Sequence, residues 1–304
     1  MLSRRQFIQG AATVAATGAG FGGYAFAIEP HRLVTQHYRV RPSGWPTGLK
    51  LRVAALADMH ICEPWMPLDR VRRIVDQTNS LDADLIVMLG DFVGSESVAW
   101  GHYDFAQWAE ILSELKAPLG RHAVLGNHDW WIDRAAQARG HGPNAVAAAL
   151  ATAGVPVHEN DAVRLNKDGE AFWLCGLGDQ WAFYGDRDRR ARPGTFGYRG
   201  VDDLAGTLAK VTDDAPVLMM VHEPDVFAEM PARVSLTMAG HTHGGQVQML
   251  GYAPVIPSVF GRRFAYGHIQ EADRHLIVSG GIGCSGLPVR FGRPPEIVVI
   301  DLEA

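Results

Sequence analysis

The sequence predicts an α/β fold, and three observations carry that prediction. Short apolar runs of strand length recur between residues 51 and 300, and segments of helical length separate the earlier ones. Strands that alternate with helices pack as a sheet covered by helices. The later strands follow one another through shorter connections, which points to a second, more antiparallel sheet. Composition permits this: of 304 residues, 47% are hydrophobic and 20% charged, which excludes a disordered tail, a collagen-like repeat and a multi-spanning membrane protein. The length allows one large domain or two ordinary ones.

Taken in order, residues 1–28 read as an address, not a fold element. Ser3-Arg4-Arg5-Gln6-Phe7 leads into an uncharged run from Phe7 to Ile28 that contains Ala25-Phe26-Ala27, an A-x-A cleavage pattern. The run is long enough to span a bilayer. Its glycines (Gly10, Gly18, Gly20, Gly22, Gly23) weaken it as a permanent anchor, at about 1 kcal/mol of helix propensity each. Cleavage after Ala27 would remove Arg4 and Arg5 and take the formal net charge from -5 to -7; the alternative is an uncleaved anchor. Residues 29–48 form a lead-in, irregular from Pro42 to Gly48.

The main domain is expected over residues 49–304. Leu51–Ala57, Leu85–Leu89 and His122–Leu125 are its first strands. Pro67–Ser80 reads as a helix because it opens with Pro and carries Asp69 in its first turn. Asp104–Leu115, Asn144–Ala153 and Val201–Val211 are further helices, and Phe172–Leu177, Val217–Val221, Val234–Ala239, Leu276–Ser279 and Ile297–Ile300 complete the strands. With 28 basic and 33 acidic residues, the chain has no global basic footprint for nucleic acid. Three cysteines (Cys62, Cys175, Cys284) are too few for a disulfide scaffold.

Chemistry gathers where strands end. Asp58-Met59-His60 follows the first strand, Gly90-Asp91 the second, and Gly126-Asn127-His128-Asp129 the third. His222 ends the Val217–Val221 run, and Gly240-His241-Thr242-His243-Gly244-Gly245 follows Val234–Ala239. Carboxyl ends of strands converge on one crevice in α/β sheets, so these distant residues are expected to be neighbours. Asp58, His60, Asp91, Asn127, His222, His241 and His243 offer more ligand atoms than one tetrahedral ion takes. With one carboxylate bridging, they suit two ions about 3.5–4 Å apart. Imidazole with carboxylate suits Mn, Fe or Zn.

In order and spacing these five blocks resemble the calcineurin-like metallophosphoesterase family. The tail, Gly281-Ile282-Gly283-Cys284-Ser285-Gly286-Leu287-Pro288 with Phe291-Gly292-x-Pro294-Pro295-Glu296, is similar to its exported bacterial phosphodiesterase branch. Ser3–Phe7 resembles a twin-arginine export signal, with Gln9 where lysine is common. The resemblance implies a four-layer α-β-β-α sandwich of two mixed sheets. It implies a first metal on Asp58, His60, Asp91 and His243, and a second on Asp91, Asn127, His222 and His241, with Asp91 bridging and working in catalysis. A hydroxide between the ions would attack phosphorus in line, beside His128. Family members commonly carry an Asp that orients this histidine, but Gly94 stands there, which favours His128 as a hydrogen-bond donor to phosphate over an acid. Whether Glu96 or Asp129 substitutes is open.

The implied activity is hydrolysis of phosphate esters, with diesters ahead of monoesters, after export to the periplasm or cell envelope by the twin-arginine machinery. The expected partners are a phosphate-ester small molecule or a lipid headgroup. The alternatives are a UDP-2,3-diacylglucosamine-type lipid pyrophosphatase and a catalytically idle metal-binding envelope protein. Residue by residue, His31, His37, His102, His122, His141, His158, His268 and His275 read as non-ligands, and Cys62 as a structural thiol. Gly244-Gly245 is either a turn or a place where backbone nears the metals. Trp130-Trp131 is either a plug or a substrate wall. Arg187, Arg189, Arg190, Arg192 and Arg199, set among Trp181, Phe183, Tyr184 and Tyr198, form a solvated loop or a phosphate- or membrane-facing one.

Overall fold

The computed structural model describes residue 18 and residues 20–94, 99–184 and 197–304. Among the described residues eleven strands form two mixed sheets. The first sheet contains β1 (Val34–Val40), β2 (Leu51–Leu56), β3 (Leu85–Leu89), β4 (Arg121–Val124) and β11 (Glu296–Leu302), in the order β1-β11-β2-β3-β4. The second contains β5 (Asp161–Lys167), β6 (Glu170–Gly176), β7 (Val217–Met220), β8 (Leu236–Ala239), β9 (Gly267–Glu271) and β10 (Arg274–Val278), in the order β5-β6-β7-β8-β10-β9.

Alternation along the strands explains why both faces are covered. In β3, Leu85, Val87 and Leu89 turn toward the second sheet and meet Phe172, Leu218, Leu236 and Ile277. Ile86 and Met88 turn the other way, against Val71, Ile74, Trp108 and Leu112 from helices Leu68–Asn79 and Phe105–Leu112. In β7 the same division sends Val217 and Met219 to an outer cluster with Phe227 and Phe264. Strands buried on both faces read as continuous apolar runs. The four-layer α-β-β-α sandwich follows directly.

Three strands carry no such signal. Val34–Val40, inside the segment read as a lead-in, pairs in parallel with β11, while Pro42–Gly48 is irregular as expected. β5 and β9 are the other two, and all three are sheet edges with half-exposed polar residues. The second sheet is antiparallel only at its margins, β5·β6 and β9·β10; the middle strands β6, β7, β8 and β10 run parallel. Its short connections are one-turn helices and 3₁₀ turns such as Pro224–Glu229.

Residues 20–27 are helical and lie against the domain. Phe21 and Tyr24 meet the Phe291 ring edge-on, and Arg290 N donates to Ala25 O. Among the described residues no helix is long and apolar enough to cross a membrane. Arg4, Arg5, Gln9, Glu96, Arg187, Arg189, Arg190 and Arg192 lie outside the described residues.

Candidate metal centre

Every expected ligand sits just past the carboxyl end of a strand. Asp58 and His60 follow β2, Asp91 follows β3, and Asn127 opens the one-turn helix Asn127–Trp131 after β4. His222 follows β7, and His241 and His243 follow β8. Five of these seven residues hold left-handed backbone: Asp58 (φ 53), His60 (φ 48), Asp91 (φ 55), His241 (φ 71) and His243 (φ 51). Such conformations cost about 1–3 kcal/mol each, and they persist only where the surroundings enforce them.

Two glycines make room for this. A Cβ on Gly90 (φ +89) would stand 2.5 Å from Gly126 N, and one on Gly126 would stand 2.3 Å from Asp91 Oδ1. The β3 and β4 loops therefore touch backbone to backbone, with the His222 ring against both.

The side chains form two groups that meet at Asp91. Asp58, His60 and His243 make one, and Asp91, His222 and His241 the other, all buried. His60 Nε2 lies 3.0 Å from His243 Nε2. Asn127 Oδ1 lies 3.1 Å from His222 Nε2 and 3.0 Å from His241 Nδ1. Asp91 Oδ2 stands between the groups, 3.2 Å from His222 Nε2 and 3.6 Å from His60 Nε2. His128 Nε2 is 4.0 Å from the same oxygen, and its side chain keeps 12% of its surface open, more than Asp91, His60 or His222 do.

The electrostatics follow from burial. Burial and then the His128 charge depress His60 to about 3, and burial lowers His128, His241 and His243 as well. Burial pushes Asp58 up to about 7. For Asp91 burial acts upward, but His222 and His128 hold the carboxyl well below its usual range. Burial likewise opposes charge on His222, and the Asp91 carboxylate overrides it, raising His222 well above its usual value.

This donor set fits a cation. His222 Nδ1 lies 2.7 Å from Leu89 O, which fixes a proton there and turns Nε2 toward Asn127 Oδ1 and Asp91 Oδ2, where a cation would take the place of the second proton. Acceptor atoms buried this close together repel unless a positive charge sits among them. Mixed imidazole, carboxylate and amide ligands suit Mn, Fe or Zn.

Residues 51–245 match the family described as calcineurin-like phosphoesterase, and they span all five motif blocks. The chain belongs to this family. It is 29% identical to the "uncharacterized metallophosphoesterase YkuE" of Bacillus subtilis over 100% of this chain and 98% of that protein. A metallophosphoesterase of Aquifex aeolicus is 28% identical, over 93% and 96% of the two chains. The Escherichia coli protein named "Phosphodiesterase YaeI" is 26% identical, over 99% and 100%.

In this calcineurin-like phosphoesterase Asp129 does not orient His128. Its carboxylate accepts from Gly126 N, Asp91 N, Phe92 N and Val93 N at 2.9–3.2 Å, which ties the β3 loop to the β4 loop. The His128 backbone N–H in turn donates to Asp91 Oδ1 at 2.9 Å. Trp130 and Trp131 divide the two roles open from sequence. Trp130 is a buried plug against Phe183. Trp131 leans on His128 and stacks with Tyr184 and Tyr198, while Trp181 meets His241 edge-on, so rings border the centre on both sides. The glycines 244 and 245 serve packing: a Cβ would strike Arg293 Nε at 2.8 Å or Ala253 Cβ at 2.4 Å.

Sequence reasoning missed three buried groups. Arg290 is fully buried, donates to Gly283 O and Arg293 O, and places Nη2 3.2 Å from His243 Nδ1. Asp179 and Glu223 lie together behind His222, and burial followed by the Glu223 charge drives Asp179 well above the usual carboxylate range. Neither Asp179 Oδ2 nor Glu223 Oε1 has a hydrogen-bond donor, and one proton held between them would satisfy both. A fully buried charged side chain leaves no periodic signature, so composition alone does not flag it. Cys62 is buried and belongs to none of the ligand groups; among the histidines read as non-ligands, none does either.

Proposed function

We propose that this protein is a dinuclear metal-dependent phosphodiesterase. The observation that carries the reading is the position of Asp91 Oδ2, within 3.6 Å of a histidine of each group. One carboxylate oxygen shared by two ligand sets is what a pair of ions about 3.5–4 Å apart requires. Asp58, His60, Asp91 and His243 would hold the first ion, and Asp91, Asn127, His222 and His241 the second. Mn, Fe or Zn, when bound, supplies a water nucleophile near neutrality and offsets charge on the phosphoryl oxygens.

The chain's own residues do the rest. His128, the most open imidazole of the cluster, donates a hydrogen bond to a phosphoryl oxygen. Asp129 keeps Asp91 and His128 in register through the loop backbones. In the reaction one P–O bond breaks, phosphorus gains the water oxygen, and the alcohol leaves with a proton. Preference for diesters rests on the likeness to the protein named phosphodiesterase YaeI.

The test is Asp91→Asn. The Mn-loaded wild type should hydrolyse bis(p-nitrophenyl) phosphate, and the variant should lose at least one metal equivalent and nearly all turnover. Full activity in Asp91→Asn would sink the assignment. We also propose delivery by the twin-arginine route. The contacts of Tyr24 and Ala25 with the domain favour retention of the leader over cleavage after Ala27. N-terminal sequencing of the mature protein distinguishes a start at Met1 from one at Ile28.

A further inference from the structure

A groove of about 480 Å³ opens directly beside the metal centre, walled by His241, His243, Val247, Pro257, Leu287 and Val289. Two of its polar side chains, Thr242 and Gln246, are already engaged. Thr242 Oγ1 donates to Ala265 O, and the Gln246 amide is spent on Ser285 N, Ser285 O and Leu287 O. A groove that offers hydrocarbon walls and imidazoles at one end suits a ligand with an apolar arm and a phosphate head.

Its rim is more apolar than a water-facing surface should be. Met249, Leu250, Tyr252 and Val255 project from one loop and are 62–101% exposed, and Leu287 faces them from the other bank at 57%. Contiguous exposed side chains of this size mark an interaction surface. Arg262 holds the loop tip through Gly251 O and sets a cation beside it. The N-terminal segment joins the same face. Phe21 and Tyr24 pack on Phe291, which pairs with Val247 in an isolated β-bridge at the root of the loop. Phe26 lies in a small cavity with Pro288, next to Leu287. So the uncharged run ending at Ile28 enters the fold on the face that bears the bare loop.

We propose that this face lies on a lipid surface, with Met249, Leu250 and Tyr252 inserted among acyl chains, and that the groove admits the hydrocarbon arm of a phospholipid whose phosphodiester reaches the metal centre. The proposal rests on the phosphodiesterase reading for its reaction, but its docking surface stands on the loop and groove alone. An apolar loop tip with Tyr and Arg at its base is the pattern of interfacial anchors. A second copy of the chain is the competing occupant.

The test uses the full Mn-loaded chain and three substrates. These are phosphatidylglycerol in vesicles made with phosphatidylcholine, its deacylated analogue glycerophosphoglycerol, and bis(p-nitrophenyl) phosphate. Phosphatidylglycerol should turn over at least about tenfold faster than the deacylated analogue, since burying even one acyl segment is worth that much. Met249→Glu with Leu250→Glu should lower vesicle sedimentation and lipid turnover by about tenfold or more, and leave the p-nitrophenyl diester rate within about twofold. Equal rates on the acylated and deacylated diesters overturn the proposal, as does a double variant that keeps its lipid rate. A chain that sediments as a dimer and leaves vesicles alone overturns it in favour of self-association. If the wild type hydrolyses no diester at all, the hydrolase reading falls, and vesicle sedimentation of wild type against variant still decides the docking face.

Discussion

Single residues at this centre are held in conformations they would not choose alone. Asp58, His60, Asp91, His241 and His243 all sit at positive φ, and the strain returns the side chains over the strand ends toward a common point. What enforces it is close backbone packing. Gly126 is the tightest case, since a Cβ there would lie 2.3 Å from Asp91 Oδ1 and 2.7 Å from His222 Cε1. Gly126→Ala should therefore displace the Asp91 carboxylate while leaving the sheets intact. Metal content measured by mass spectrometry should fall, and activity should drop by about 10–100-fold, the usual cost of disturbing a ligand's support. An alanine variant with full metal and wild-type rate would show that Asp91 tolerates the shift.

Elements differ in how openly the sequence announces them. β3 and β7 are covered on both faces and appear as unbroken apolar runs, and β2 and β8 are broken only by Arg52 and Thr237, so all four have boundaries legible to within two residues. The ligands were legible for the same reason, because each such run stops at a Gly, Asp, Asn or His. β1, β5 and β9 were not legible, because edge strands spend their side chains on solvent and read as polar loops. Arg290 and the Asp179–Glu223 pair were invisible because a fully buried charged side chain leaves no periodic signature. The strap between sheets was also invisible. His158, just before β5, lies with Nε2 2.9 Å from His122 Nδ1 on β4, while His122 Nε2 faces Leu119 O at 3.1 Å. The carbonyl fixes the His122 proton on Nε2, so His122 Nδ1 accepts from His158 Nε2–H, and both rings are neutral. Burial, then the His122 charge, depresses His158 to about 4. The unfolded chain binds that proton near 6.5, so stability is fully present above pH 6.5 and is lost as pH falls toward 4. The loss is on the order of 2 kcal/mol. His158→Gln keeps the donor and removes the titration. Urea midpoints for this variant should fall less between pH 6.5 and 4.5 than those of the wild type. Parallel pH profiles would assign the acid sensitivity elsewhere.

At the scale of the whole molecule, the two sheets are joined in two different ways. Leu85, Val87, Val298 and Ile300 of the first sheet pack on Leu218, Leu236, Met238 and Ile277 of the second, which is a non-directional union. The candidate metal centre would add a directional one. Asp58, His60, Asp91 and Asn127 follow strands of the first sheet and His222, His241 and His243 strands of the second, so ions held among them would tie one sheet to the other. Without ions, the same residues crowd nitrogen and oxygen acceptors and buried charge into the seam. Binding to the folded state alone stabilises by about 2.7 kcal/mol when the ligand exceeds its Kd a hundredfold, which for a chain of this length raises Tm by about 5 °C. Mn should therefore raise Tm by that order, and EDTA should reverse the rise. Asp91→Asn, which removes the shared oxygen, should abolish most of the shift and should itself melt lower than the metal-free wild type, since it leaves the buried His222 charge without its partner. Calorimetry of both proteins with Mn and with EDTA reads all four values. Equal shifts in variant and wild type would mean that the ions bind without Asp91 and that the seam holds by its hydrophobic packing alone.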